Sequence, residues 1–301
     1  MTVRRALLVG INAYAGSPLR GCINDVMQMK DLLKHYYGFT EDNFKLILDK
    51  EASLQGIKAG LEWLAQGGDM ADAVRVFHYS GHGSYLADTN GDEPDGRDEC
   101  LVPYDYQTAG MLVDDTLKVL YDTFPKPGNL TLVMDSCHSG SVQKGLGDVV
   151  YRFIPMTKQE TKRADEAKQK FEADREAFII KDLKQVDTSK LSDEELRKLV
   201  SGLITTFAKR RFGDIRVRDA NVLVAGCRSD QQSADAHLAG EYHGAFTYFL
   251  AESITQSNGN LTYRELAEAV GKKLSDAHFV QVPQLEYKSG RDNQPAFKPF
   301  L

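Results

Sequence analysis

The sequence is poor in cysteine, in long apolar runs and in net positive charge, and each scarcity excludes a class of protein. Its 301 residues include four cysteines, and no two of them form a Cys-x-x-Cys pair, which argues against a structural zinc site and a disulfide scaffold. No apolar stretch approaches the length of a membrane span. The formal net charge of −6 disfavours nucleic acid as the main partner. We therefore expect a cytoplasmic protein with neither a membrane nor a nucleic-acid partner.

The order of the predicted elements indicates an α/β fold. The apolar patterns predict strands over 6–11, 44–48, 74–79, 130–134 and 220–225, and helices over 24–37, 53–64, 247–253 and 263–274. Residues 156–218 are instead dense in charge, with a capping box at 192–195 and no strand signal. Alternating strands and helices predict a mostly parallel sheet with helices on both faces. We predict one domain built from a large section, 1–155, and a small section, 219–301, interrupted by a charged helical insertion, 156–218.

A histidine and a cysteine follow two of the predicted strands. His82 lies in a Ser-Gly-His-Gly-Ser motif after the strand at 74–79, and Cys137 lies in an Asp-Ser-Cys-His-Ser-Gly motif after the strand at 130–134. Reactive groups collect at the carboxyl edge of parallel sheets, where these two could act as base and nucleophile. The amides of Gly83 and Cys137 could form an oxyanion hole. The implied reaction is acyl transfer, of which peptide hydrolysis is the commonest case.

Two polar residues should lie beside the candidate pair. Side chains two positions apart on a strand point to the same side, so Asp135 should share a pocket with Cys137, and Ser80 should share it with His82. A carboxylate in this pocket favours a basic substrate side chain, because a guanidinium pairs with it bidentately. The same carboxylate argues against a preference for aspartate or asparagine, as in animal caspases and legumains.

These residues match a known family. The chain resembles the metacaspases, which are caspase-fold cysteine proteases, and their prokaryotic relatives. The resemblance rests on the two motifs above, together with stretches at 19–25, 92–99, 113–115 and 225–234, so it covers both sections but not the insertion. It implies a caspase-like three-layer sandwich with a central sheet of about six strands. It also implies His82 as base and Cys137 as nucleophile, acting through a thioester acyl-enzyme.

The resemblance extends to specificity and to activation. It implies cleavage after arginine or lysine, with a specificity pocket lined by Cys22, Asp25, Ser80 and Asp135. No cofactor is required for the chemistry, but many metacaspases are activated by calcium. The corresponding calcium ligands would be Asp98, Asp114 and Asp115. Lys144 stands where the family has a further acid, which opposes a divalent cation unless Asp148 substitutes.

The family resemblance also implies regulation by cleavage of the connecting segment. The insertion offers basic candidates for such processing, namely Lys209, Arg210, Arg211, Arg216 and Arg218. The expected partners are peptide or protein substrates with a basic residue before the scissile bond, and the resemblance implies a monomer. Two alternatives stay open: a caspase-fold scaffold or binding protein with little activity, and a protease activated only by an upstream protease.

Overall fold

A six-stranded sheet forms the central layer of the fold. The structure, a computed structural model, describes residues 3–67, 73–87, 97–113, 129–137, 149–155, 176–184, 191–200, 221–228, 231–287 and 290–299, with single residues between these ranges. The strands in chain order are β1 Arg4–Gly10, β2 Phe44–Leu48, β3 Val74–Ser80, β4 Gly83–Ala87, β5 Arg97–Leu101, β6 Leu112–Val113, β7 Leu130–Asp135, β8 Val150–Tyr151, β9 Asn221–Ala225, β10 Ala234–Leu238, β11 Glu241–Gly244 and β12 Gln284–Tyr287. The central sheet has the spatial order β12-β9-β7-β3-β1-β2.

Five strands of this sheet are parallel, and β12 alone pairs antiparallel, with β9. This arrangement confirms the predicted α/β fold with a mostly parallel sheet of six strands. Because β9 and β12 belong to the same sheet as β1, the chain segments before and after the insertion share one core. The division into three sections stays a prediction.

The sheet has a hydrophobic layer on each face, as its alternating strand residues require. Ala6 and Leu8 of β1 pack in one core cluster, while Leu7 and Val9 pack in the other. The helices are α1 Cys22–Tyr37, α2 Leu54–Ala65, α3 Tyr106–Ala109, α4 Ala245–Gln256 and α5 Tyr263–Asp276. Residues of α1, α4 and α5 cover the first face and residues of α2 cover the second. The molecule therefore has the predicted three layers.

The helix boundaries follow from local chemistry. The Ser53 hydroxyl accepts the amide of Gly56 at 3.0 Å and so caps the start of α2. A capping box between Thr262 and Glu265 begins α5. Gly38, with φ of 69°, ends α1 in the left-handed region that glycine favours. The four long helices occupy the predicted positions, with ends displaced by at most three residues.

Two small sheets lie beside the central one, and the sequence did not predict them. They have the orders β4-β5-β6 and β11-β10-β8. The stretch 88–99 is expected as a polar loop, yet β5 already begins at Arg97, because pairing with β4 and β6 outweighs the local polarity. In the insertion, residues 176–183 and 193–200 are helical, as predicted.

Candidate active site

The candidate base and nucleophile follow adjacent parallel strands. β3 and β7 are paired with Ser80 opposite Asp135, the last residue of each strand. His82 and Cys137 each come two residues later, so both lie at the carboxyl edge of the sheet. His82 is 1% exposed and Cys137 is fully buried. Two buried, chemically reactive side chains at one sheet edge are what the sequence predicted for this region.

The His82 ring is fixed in one tautomer. Its Nε2 lies 2.8 Å from the Ser17 carbonyl oxygen, which can only accept, so Nε2 carries the proton and Nδ1 is free to accept one. Nδ1 is buried without a hydrogen-bond partner among the described residues. Burial lowers the pKa of His82 to about 4, against the opposing effects of the Ser17 carbonyl and the Arg152 backbone. The imidazole is therefore neutral near pH 7 and able to act as a base.

Acid should destabilise the fold through this histidine and through His78, which is buried on β3 and also has its pKa lowered by burial to about 4. The unfolded chain binds protons near pH 6.5 and the folded chain only near 4, so stability is lost as pH falls through that window. In a Cys137→Ala variant, which lacks the candidate nucleophile, we expect each of the two histidines to lower the free energy of unfolding by roughly 2 kcal/mol between pH 7 and pH 5.

Urea unfolding at the two pH values measures this loss. His78→Gln should remove about half of it, whereas His237→Gln, at an exposed position on β10, should leave it unchanged. A loss of the same size in the parent and in both variants would contradict burial of neutral histidines as its cause.

The two predicted oxyanion donors bind a carbonyl oxygen of the chain itself. The amides of Gly83 and Cys137 donate to the Arg152 carbonyl oxygen at 2.9 and 3.2 Å. Only glycine fits at position 83, because a Cβ there would lie 1.9 Å from the Cys137 carbonyl oxygen. The Cys137 Sγ accepts the Ser233 amide and lies 3.2 Å from the Ser233 carbonyl oxygen. A carbonyl therefore occupies the position where a tetrahedral oxyanion would form.

The side chain of the same residue fills an acidic pocket. The Arg152 Nη2 donates to Asp25 and to Asp235, both at 2.8 Å, and its Nη1 lies 3.3 Å from an Asp135 carboxylate oxygen. Nη1 also donates to the Ser80 hydroxyl at 2.7 Å. The arginine and the three carboxylates are all buried. One guanidinium thus contacts three acids in a buried region, so it offsets only part of their negative charge.

The surroundings act differently on the carboxylates. Burial raises the pKa of Asp135, and Arg152 only partly opposes this. Burial also acts to raise the pKa of Asp25, but Arg152 together with hydrogen bonds from His243 and Ser80 outweighs it, so that pKa is lowered. Of these two acids, Asp25 is therefore the one held as an anion, and the charge of Asp135 depends more on the presence of a cation.

A glycine and a thiol complete the pocket. A Cβ at Gly244 would lie 2.1 Å from an Asp135 oxygen and 2.5 Å from the Arg152 Nη1, so any side chain there would exclude the guanidinium. The Gly244 amide donates to both oxygens of Asp25. Cys22, on the first turn of α1, is buried beside this group, and burial raises its thiol pKa. The Cys22 thiol is therefore uncharged where it lines the pocket.

The segment that carries Arg152 lies across the site as a strand. β8 pairs antiparallel with β10, and Tyr151 is opposite Ala234. The Arg152 amide continues this pairing by donating to the Ser233 carbonyl oxygen at 3.0 Å. An extended peptide added to a sheet edge is a common mode of peptide recognition. Backbone pairing and the acidic pocket together hold Arg152 in one register.

The structure places the predicted pocket residues around one guanidinium and the predicted chemistry residues at the adjacent sheet edge. The first group is Cys22, Asp25, Ser80 and Asp135, and the second is His82, Gly83 and Cys137. Sequence reasoning missed Arg152, Asp235 and Gly244, which complete the pocket. Asp235 directly follows the stretch 225–234 that carries the family resemblance, and this proximity was the available signal. A lone arginine and a lone glycine gave none.

Other predicted residues lie outside the described part of the chain. Asp98 belongs to β5, but its side chain is not described. Four further residues lie wholly outside the described part, namely Asp114, Asp115, Lys144 and Asp148. The predicted processing residues are also outside it, namely Lys209, Arg210, Arg211, Arg216 and Arg218. Within the described residues no group of three or more His, Cys, Asp or Glu could hold a metal ion.

Known proteins resemble this chain over nearly its whole length. A family profile described as metacaspase, peptidase C14 domain, matches residues 4–144. Metacaspase-1B of Aspergillus oryzae is 31% identical over 98% of this chain and 70% of its own length. Metacaspase-1 of Pyricularia oryzae is 30% identical over 97% of this chain and 73% of its own length. The chain belongs to the metacaspase family. This metacaspase is accordingly a cysteine protease, as the sequence resemblance implied.

Solved structures show that the metacaspase has a caspase-like fold. A protein from Geobacter sulfurreducens aligns with a TM-score of 0.65 and 21% identity, covering 99% of this chain and all of that one. Caspase-1 from Spodoptera frugiperda aligns with a TM-score of 0.54 and 12% identity, covering 95% of this chain and 86% of its own. In the described part of this metacaspase, no helix is both long and apolar enough to cross a membrane.

Proposed function

We propose that this metacaspase is an endopeptidase that cleaves after arginine and, less readily, after lysine. The single observation that carries the proposal is the position of Arg152, whose carbonyl oxygen accepts two backbone amides while its guanidinium is bound by Asp25, Asp135 and Asp235. A substrate arginine in the same position would have its scissile carbonyl polarised. Lysine offers a point charge rather than a planar fork, so it should pair less well with three carboxylates.

The proposed reaction proceeds through a thioester. His82 Nδ1 takes the proton of the Cys137 thiol, and Sγ attacks the carbonyl carbon of the substrate arginine. The amides of Gly83 and Cys137 stabilise the oxyanion. The imidazolium then protonates the leaving amine, and water hydrolyses the thioester with the imidazole as base. The hydrogen bond from Nε2 to Ser17 keeps the ring in the tautomer that this sequence of proton transfers requires.

Activation is part of the proposal. Arg152 fills the acidic pocket, so the described state must change before an external arginine can enter, and we propose that proteolytic processing is the event that changes it. An upstream protease and calcium remain candidate activators, with Asp98, Asp114 and Asp115 as the proposed calcium ligands. We favour a protein substrate and a monomeric, cytoplasmic enzyme without nucleic-acid or membrane partners. A scaffold with little activity is the alternative, but no described feature favours it.

A peptide series that differs only in the residue before the scissile bond tests the proposed specificity. We expect turnover with arginine, slower turnover with lysine, and a decrease of about 10²-fold or more with citrulline, which has nearly the shape of arginine but no charge. Turnover should be measured across pH 6 to 9, with and without calcium. Cys137→Ala is the control for contaminating proteases and should be inactive.

Two results would contradict the proposed specificity. Equal cleavage after arginine and citrulline would mean that the pocket does not recognise charge. Faster cleavage after aspartate would mean that the three carboxylates do not form the specificity pocket. The scaffold alternative predicts no turnover in any arm of the experiment.

A further inference from the structure

The described state has the features of an enzyme–substrate complex formed within one chain. The segment 150–152 pairs antiparallel with β10, the Arg152 carbonyl oxygen lies on the two oxyanion donors, and its guanidinium fills the acidic pocket. A buried arginine needed only for stability requires ion pairs. Stability does not require the carbonyl oxygen of that arginine to accept the amide of the candidate nucleophile. The coincidence of backbone and side-chain placement therefore points to a substrate rather than to a structural ion pair.

We propose that the Arg152–Phe153 peptide bond is this enzyme's own cleavage site, and that the intact chain is held inactive by its own substrate. This inference rests on the proposed function. It differs from the processing predicted at residues 209–218, because a cut there would leave Arg152 covalently continuous with Phe153 in the cleft. Cleavage after Arg152 instead separates the bound segment at the site itself.

Residues beyond the bond are also held, which fixes the register. The amide of Ile154 donates to the Gly83 carbonyl oxygen at 3.0 Å, and its own carbonyl accepts the Ser84 hydroxyl at 2.8 Å. The ring of Phe153 stacks on Tyr85 with centroids 5.9 Å apart and planes inclined by 21°. The chain is thus bound on both sides of the Arg152–Phe153 bond, as a bond about to be cleaved must be.

The same contacts predict a sequence preference for external substrates. Tyr85 forms a stacking surface for the side chain that follows the scissile bond, so an aromatic residue there should be favoured. Backbone pairing with β10 reads an extended segment before the bond. The preferred substrate should therefore resemble Val-Tyr-Arg-Phe-Ile, the sequence of 150–154.

The covalent step uses only groups of the chain and water. The Cys137 Sγ leaves its contacts with Ser233 and bonds to the Arg152 carbonyl carbon, while the thiol proton passes to His82. The bond from that carbon to the Phe153 nitrogen breaks, and His82 returns the proton to the new amine. Water then hydrolyses the thioester, which leaves a carboxylate on Arg152 and restores the thiol. No oxidant, metal or co-reactant is consumed.

Cleavage should weaken the hold on the bound segment because Arg152 then loses its covalent link to Phe153 and Ile154, which the Tyr85 and Gly83 contacts hold in place. While the bond is intact, Arg152 is tethered on both sides at a high effective concentration, against which a free peptide competes poorly, whereas after the cut it is tethered on one side only. After cleavage, Phe153 and the residues that follow it belong to a separate fragment. Arg152 then carries a new C-terminal carboxylate. Exchange with an external arginine can then follow.

The test follows the appearance of a new N-terminus in the purified full-length chain. Wild type and Cys137→Ala are incubated with and without calcium, and products are identified by intact mass and N-terminal sequencing. We expect wild type to acquire an N-terminus that begins Phe-Ile-Pro, with a first-order rate that does not change on tenfold dilution, and Cys137→Ala to stay intact. Peptide hydrolysis should appear in parallel with the cut.

Substitutions at the site itself sharpen the test. Arg152→Gln should slow the cut by about 10²-fold or more, and Arg152→Lys, which keeps the charge, should restore part of the rate. Arg197→Gln, at an exposed position of the insertion, is the matched control and should be processed like wild type. Because Arg152→Gln leaves three buried carboxylates without their cation, Arg152→Lys and Cys137→Ala keep the inference testable if that variant does not fold.

The outcomes separate this inference from the proposed function. Hydrolysis of arginine peptides by a chain that stays intact after Arg152 would overturn self-cleavage and leave the proposed function standing. A Phe153 N-terminus without peptide hydrolysis would support self-cleavage and overturn the proposed activity on other chains. The absence of both reactions would overturn both. A Phe153 N-terminus in Cys137→Ala as well would assign the cut to another protease and overturn the inference.

Discussion

Replacement of Asp135 by asparagine is expected to reduce the preference of this enzyme for arginine over citrulline by about 10²-fold. The carboxylate lies 3.3 Å from the Arg152 Nη1 in a fully buried pocket. Removing one member of a buried ion pair costs roughly 3–5 kcal/mol, and the lower end of that range corresponds to about two orders of magnitude in kcat/KM. Asparagine keeps the size of the side chain, and its oxygen still accepts from Thr247 or Ser233.

The measurement is the ratio of kcat/KM for two peptides that differ only in arginine or citrulline. Both peptides meet the same preparation, so the ratio does not depend on the fraction of molecules whose pocket has been vacated. Asp276→Asn, at an exposed carboxylate of α5 that pairs with Lys272, is the matched control and should leave the ratio unchanged. An unchanged ratio in Asp135→Asn would show that this carboxylate does not recognise the substrate cation.

The same variant should change the pH dependence of arginine recognition. Burial raises the pKa of Asp135, whereas the pKa of Asp25 is lowered, so Asp135 loses its charge before Asp25 as the pH falls. In wild type, the arginine preference should therefore weaken toward acid pH. In Asp135→Asn the remaining preference should vary less with pH, because the carboxylate whose pKa burial raises has been replaced.

Replacement of His82 by glutamine is expected to lower the rate of peptide hydrolysis by about 10³- to 10⁴-fold. Glutamine can still donate to the Ser17 carbonyl, but it cannot take the proton of the Cys137 thiol or return it to the leaving amine. Positioned acid–base catalysis contributes about 10²–10⁴ to a rate, and the loss also removes the partner that activates the nucleophile. The loss should appear in kcat rather than in KM.

His78→Gln is the matched control for this experiment. His78 is a second buried histidine on β3, and its Nε2 lies 3.4 Å from the Thr247 hydroxyl. Its replacement should alter stability without a comparable loss of kcat. Similar losses in the two variants would argue that His82 acts through the fold rather than through proton transfer. Single-turnover measurement of the chain's own cleavage gives a second readout of the same step.

The sequence determined the parts of this protein whose signals are local. Each central strand up to β9 is an apolar run bounded by turns, and the predicted base and nucleophile follow two of those runs, so the strand pattern by itself predicts that they meet at one sheet edge. Strand parity predicted that Ser80 and Asp135 face one pocket, and both side chains contact Arg152. The short strands β4 to β6, β8, β10, β11 and β12 escaped prediction because they are stabilised by pairing rather than by their own pattern.

Only the tertiary structure decided what fills the pocket. Asp25, Asp135 and Asp235 come from α1, β7 and β10. They converge on one guanidinium only because the tertiary fold brings these three elements together, and their positions in the sequence do not predict it. Arg152 carries no motif, and the contacts that give it the register of a substrate are made by backbone amides, which every non-proline residue possesses. The sequence alone therefore predicted a thiol protease with a preference for basic residues, whereas only the three-dimensional arrangement showed that Arg152 fills the predicted pocket.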